Sequence, residues 1–170
     1  GLVWGGLFLI YGLSHCVLLL HLPETRNGAA GPAGWFLYLL LLTGLNDISQ
    51  AVIGRRFGNQ QRHRITPTVS PNKTWEGFIG GAFTTVVASF LLAPLLTTLN
   101  DSGWLMPLSA GLLVAMSGFL GDINMSALKR DAGVKDSGTL LPGMGGMIDR
   151  IDSLTWTAPA FYYFVAAISQ

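Results

Sequence analysis

Five long apolar runs govern what this chain can become. Residues 2–22, 35–53, 78–99, 104–120 and 154–168 are dominated by aliphatic, aromatic and small side chains. A helix that crosses the hydrocarbon core of a bilayer needs about 20 mostly apolar residues, and most of these runs come close to it. In lipid the backbone must satisfy its own hydrogen bonds, which leaves helices as the economical solution. The predicted fold is therefore all-α: a polytopic transmembrane helix bundle of about five spans, forming one transmembrane domain over 1–170. Composition agrees. Charged residues make up 11% of the chain and hydrophobic ones 50%, whereas soluble domains carry about 25% charged residues. The chain opens on Gly1 without the basic start and cleavage pattern of a signal peptide. It reads as a fragment whose upstream portion is absent.

The few charges are not scattered. Sixteen of nineteen fall in two blocks, 46–77 and 122–152. Lys and Arg in short loops mark the cytoplasmic side of a membrane protein. A five-span path puts loops 54–77 and 121–153 on that side and the nearly base-free loops 23–34 and 100–103 on the other. Orientation is one account of Arg55, Arg56, Arg62 and Arg64, and the residues alone leave a further role open. It does not account for the aspartates of the second block, because acidic residues contribute little to topology. A net charge of +1 argues against a nucleic-acid partner. One cysteine, Cys16, excludes an intrachain disulfide, and His15, His21 and His63 lack zinc-ligand spacing.

Three features of the second block carry chemistry. Asp122, Asp149 and Asp152 adjoin apolar runs, where carboxylates are costly and are usually paired or functional. Converging carboxylates with no soft ligands suit a hard cation such as magnesium. Salt bridges to Lys129 and Arg150 are the plainer account, and the residues alone leave both open. Lys129, Arg130, Lys135 and Arg150 sit among these carboxylates, as phosphate groups require. Pro142-Gly143-Met144-Gly145-Gly146 is a turn whose glycines let backbone amides approach a phosphate, though such a turn is also simply a flexible loop. In the first block, Ser70-Pro71 reads as the N-cap and first residue of the third span. Lys73 then falls in a helix first turn that attracts anions. Gly77 and Gly81 form a small-xxx-small pair suited to helix packing. Asn46, Asp47, Ser49 and Gln50 interrupt the apolar run 35–53, and Asp47 is either a site residue or a polar contact between helices.

From Ser126 to Asp152 the pattern Ser-x-x-Lys-Arg, four residues, Lys-Asp, then Gly-x-Gly-Gly-x-x-Asp-Arg-x-Asp resembles the signature of the CDP-diacylglycerol synthase (phosphatidate cytidylyltransferase) family. Asn46-Asp47 and the stretch from Ser70 to Gly77 resemble that family as well, and the likeness covers roughly 35–160. It implies an integral enzyme of the bacterial cytoplasmic membrane, its active site facing the cytoplasm. The implied reaction joins the CMP moiety of CTP to phosphatidic acid, yielding CDP-diacylglycerol and pyrophosphate in phospholipid biosynthesis. Its implied partners are CTP, phosphatidic acid and membrane lipids, with magnesium as one ion or a pair, and it allows a homodimer. The resemblance also implies roles. Asp122 and Asp149 would hold the metal, supported by Asp152 and Asp47. Lys129, Arg130, Lys135, Asp136 and Arg150 would complete the catalytic set. Ser70, Asn72, Lys73, Thr74, Glu76, Ser126, Gly145 and Gly146 would bind substrate. There is one departure: the family has Pro-Gly-His-Gly-Gly where this chain has Met144. That departure motivates an alternative, a weakly active or inactive paralogue. A membrane transporter or channel is a further alternative, although only Asp47 lies deep enough to line a path.

Overall fold

The computed structural model describes residues 2–22, 30–31, 33–59, 63–133 and 152–168. Five helices organise them: α1 (Leu2–Leu20), α2 (Ala33–Phe57), α3 (Trp75–Leu96), α4 (Leu105–Asp131) and α5 (Leu154–Ala167). A short 3-10 turn, Leu99–Ser102, joins α3 to α4. Three helices, α2, α3 and α4, are long and apolar enough to cross a membrane. At 1.5 Å per residue they run about 33–40 Å, against a hydrocarbon core of about 30 Å. Helix α5 has 14 residues and reaches only about 21 Å. It packs along α1, where Gly12 lies so close to the backbone of Thr155 that a Cβ would collide with it. The five expected runs thus appear as five helices, three of them long and apolar enough to cross a membrane by themselves.

The bundle is inside-out by the standard of soluble proteins. Phe83, Leu91 and Ile48 are 72%, 67% and 63% exposed, a display that water would not tolerate over so much surface and that lipid accepts. The interior mixes apolar and hydroxyl side chains. Trp35, Tyr38, Leu39 and Leu42 of α2 meet Val114 of α4 and Phe161 and Val165 of α5. Tyr38 donates to Ser89, which donates to the Pro107 carbonyl, and Thr43 donates to Thr157 across α2 and α5 at 3.3 Å. Small residues set the crossings, as in other membrane bundles. A Cβ on Gly77 would lie 2.8 Å from the Gln50 carbonyl oxygen and 3.0 Å from Gly54 Cα. The small-xxx-small pair is therefore a packing device that brings α2 and α3 together backbone to backbone.

Two expectations are corrected. Ser70 does not start the third span: Ser70–Thr74 is a strand, β2, paired antiparallel with β1 (Arg64–Thr66), Thr66 opposite Ser70 and Arg64 opposite Thr74. Helix α3 begins at Trp75, capped by Thr74, whose hydroxyl accepts from the Gly77 amide at 3.2 Å. Thr74 stands directly before the apolar run, so its cap serves the helix without four extra polar residues in the first turn. Pro71 fits a two-stranded hairpin, where an edge position needs no donor. The second correction concerns lengths. Asn46, Asp47, Ser49 and Gln50 do not interrupt α2, which extends to Phe57. Likewise α4 does not stop at Leu120 but runs to Asp131, leaving Asp122 inside a helix rather than at its end.

Candidate active site

Both charged blocks meet at one end of the bundle. From the first come Asp47, in the second half of α2, and Lys73, at the end of β2. From the second come Asp122 and Lys129 on α4, and Asp152 in the turn before α5. Helix spacing explains the α4 contribution. Asp122, Ser126 and Lys129 stand at i, i+4 and i+7 and share a face, which the continuation of α4 past Leu120 makes possible. The Gly121 backbone presses on Ser153, with a Cβ there 3.2 Å from the Ser153 Cα, and this contact brings the α5 start against α4.

Each of these carboxylates has a partner. Lys73 forms an ion pair with Asp122, both side chains largely shielded from solvent, and its ammonium lies 5.5 Å from the Phe119 ring centroid. Ser153 donates its hydroxyl to Asp47 at 3.0 Å and its amide to Asp152 at 2.8 Å. Lys129 approaches Asp152 at 3.9 Å, a longer and weaker contact. Burial pushes the Asp152 carboxyl up to about 6. The negative charge of Asp122 adds to the shift, and Lys129 opposes it. Beside these groups opens a pocket of about 160 Å³, bordered by Asp47 and Gln50 of α2, Lys73 of the hairpin and Asp122 of α4.

Most expected residues that fall within the described regions gather here. Ser70, Asn72 and Thr74 border the pocket with Lys73, although the Thr74 hydroxyl is already used as the helix cap. Ser126 lies partly buried on the Asp122 face, and Arg130 is exposed in the last turn of α4. Glu76 is not brought into the pocket. It pairs with His63, which precedes β1. Lys135, Asp136, Gly145, Gly146, Asp149 and Arg150, together with Met144, lie outside the described residues. The sequence reading missed Gln50, Ser153 and Phe78, and it left Arg55 open between an orientation charge and a further role. Helical spacing from Asp47 contained the signal for Gln50 at i+3. No sequence signal marked Ser153, because its role depends on how α5 meets α2.

The donor set fits a hard divalent cation in its chemistry, with oxygen ligands and no thiolate or imidazole. Among the described residues, however, no three such side chains are already placed as one ligand set, and the ammonium groups of Lys73 and Lys129 supply the neutralising charge.

Helices long and apolar enough to cross a membrane, with a carboxylate–ammonium cluster at one end, define an integral membrane protein. The chain belongs to the cytidylyltransferase family, whose profile matches residues 2–168, as the Ser126-to-Asp152 pattern led one to expect. Among its relatives, a phosphatidate cytidylyltransferase of Haemophilus influenzae is 40% identical over 133 residues, 75% of this chain and 44% of the relative. Another of the same description, from Staphylococcus saprophyticus, is 36% identical over 140 residues, 82% of this chain and 51% of its own. The uncharacterized protein YnbB of Escherichia coli is 52% identical over 162 residues, 95% of this chain and 52% of its own. The chain spans about half the length of the curated relatives it matches.

Proposed function

We propose that this protein is a phosphatidate cytidylyltransferase, converting CTP and phosphatidate into CDP-diacylglycerol and pyrophosphate at the cytoplasmic face of a bacterial inner membrane. One observation carries the reading: carboxylates from separate stretches, Asp47, Asp122 and Asp152, gather with Lys73 beside a pocket at one end of a lipid-facing bundle. The family match and the descriptions of two relatives support it.

The chemistry asks little of a nucleophilic side chain. The lipid's phosphomonoester has a second pKa near 6 and is largely dianionic at neutral pH. One of its oxygens forms a new bond to the α-phosphorus of CTP as the bond from that phosphorus to the β-phosphate bridge breaks, and pyrophosphate leaves with the electron pair. No proton need be removed from the attacking group. The protein's work is to hold two anions together and to stabilise charge on the leaving group. Lys73 places an ammonium in the pocket, backed by Phe119. Asp122 fixes that ammonium, and Ser153 fixes the Asp47 carboxylate. Asp47, Asp122 and Asp152, with Asp149, are the residues that would hold magnesium. A bound magnesium ion would screen phosphate charge and polarise phosphoryl oxygens.

The test is direct. The intact protein, purified into lipid nanodiscs with CTP, magnesium and phosphatidate, is expected to release pyrophosphate and CDP-lipid in equal amounts. Asp122→Asn is expected to lower kcat by about 100-fold or more while the protein inserts normally. Near-normal turnover by that variant would refute the site assignment.

A further inference from the structure

We infer that Arg55 binds a phosphate group of the substrates, in addition to any part it plays in orienting the chain. The inference rests on the cytidylyltransferase reading of the pocket and extends it to a residue outside the family-like motifs described above. Among the described residues, Lys73, Lys129 and Arg55 are cations near the site. Lys73 is ion-paired with Asp122, and Lys129 lies near Asp152. Arg55 borders the same pocket as Lys73, Ser70 and Asn72, yet no ion pair or hydrogen bond joins its side chain to any of the described residues. Its guanidinium is therefore the cation of that pocket not committed to one of the described carboxylates.

Chemistry narrows what such a group takes. A guanidinium offers a planar fork of donors that matches two oxygens of one phosphate, where an ammonium acts as a point charge. The Asn72 amide and the Ser70 hydroxyl on the same pocket are neutral groups that add hydrogen bonds without competing charge. Position favours the assignment too. Arg55 stands in the last turn of α2, where the helix carbonyl end holds a cation in place.

Arg56 supplies the internal control. It is equally basic, adjacent and exposed, but it does not border the pocket, because neighbouring residues on a helix point about 100° apart. Membrane orientation by positive charge would use both arginines alike. Phosphate binding would use one.

Phosphate is common to the CTP triphosphate and to the lipid head group, so the experiment separates them. Arg55→Gln, Arg55→Lys and Arg56→Gln are made in the intact protein in lipid nanodiscs. CTP and phosphatidate are varied independently, and binding of CTP, tripolyphosphate and a short-chain phosphatidate is titrated directly. Arg55→Gln is expected to raise KM for one substrate by about 10- to 100-fold, with Arg55→Lys recovering only part. Arg56→Gln is expected to stay near wild type. Weaker CTP and tripolyphosphate binding would assign Arg55 to the triphosphate; weaker phosphatidate binding alone would assign it to the lipid. Equal behaviour of the two glutamine variants, or losses explained by inverted topology in a protease-accessibility assay, would overturn the inference. If wild type makes no CDP-lipid, the cytidylyltransferase reading fails. The titrations then still decide the role of Arg55: losses confined to Arg55→Gln sustain it, and no loss in that variant overturns it.

Discussion

Asp152 shows what a single side chain costs and contributes. Its carboxyl titrates at about 6 in the folded protein, from an ordinary value of 3.8, chiefly because it is buried. A raised carboxyl pKa means that the folded state holds a proton that the unfolded chain has lost. Stability from this group is therefore fully present below about pH 4 and declines as pH rises to about 6. One pKa unit is worth 1.36 kcal/mol, so the whole effect is on the order of 3 kcal/mol. In detergent with EDTA, Asp152→Asn is expected to unfold at a higher temperature than wild type at pH 7 and at a similar temperature at pH 4. A constant difference between the two proteins across that range would contradict the burial argument. Lys73 makes the complementary prediction. Lys73→Gln leaves Asp122 without its partner in a shielded position, a change that costs a few kcal/mol. It is expected to weaken both thermal stability and CTP turnover, whereas Glu76→Gln, outside the pocket, is expected to spare turnover. Steady-state kinetics with thermal melts on both variants checks the contrast. Met144→His, which restores the family's residue, is expected to preserve or raise turnover in the same assay.

At the scale of elements, much was legible and the errors have physical causes. The apolar runs announced the helices because length and hydropathy govern membrane insertion directly. Their ends were less legible, since a lipid-crossing helix continues into water where polar residues support it. Helix α4 does this over Asp122, Ser126 and Lys129. Asn46 and Gln50 looked like breaks in an apolar run, but the Gln50 amide donates to Asn46, which also accepts from Thr85 of α3. They are glue between helices. The hairpin was missed because Ser-Pro is a strong helix-start signal and three-residue β1 is too short to show alternation. Thr74→Ala removes the cap of α3 and is expected to cost about 1 kcal/mol, measured as a lower unfolding temperature with Lys73 still near Asp122. Gly77→Val would force α2 and α3 apart at their closest point. It is expected to destabilise the bundle by several times that amount and to abolish activity, as thermal melts and turnover would record.

For the whole molecule, the meeting of the charged blocks matters most. Lys73 reaches Asp122, and Ser153 reaches Asp47, so the later halves of α2 and α4 and the starts of α3 and α5 lie together on one side of the bundle. Single cysteines at Asn59 and Gly133, in a Cys16→Ser background, are expected to react with an impermeant maleimide from the same membrane face, and one at Ser102 from the other. Labelling of all three from one face would sink the topology. The charge pattern foretold this gathering. It did not foretell which groups would be partnered, because partner choice depends on distances between helices that no single run encodes. The backbone contact of Gly77 with Gln50 and Gly54 has its own consequence. With no side chains between them, the two rods on one flank of the pocket have nothing left to compress. That flank is expected to act as a fixed jaw, its gap the same with or without cargo. Any tightening around CTP or lipid must then come from the opposite flank, so a spin-label pair across α2 and α3 should report one distance throughout the turnover cycle.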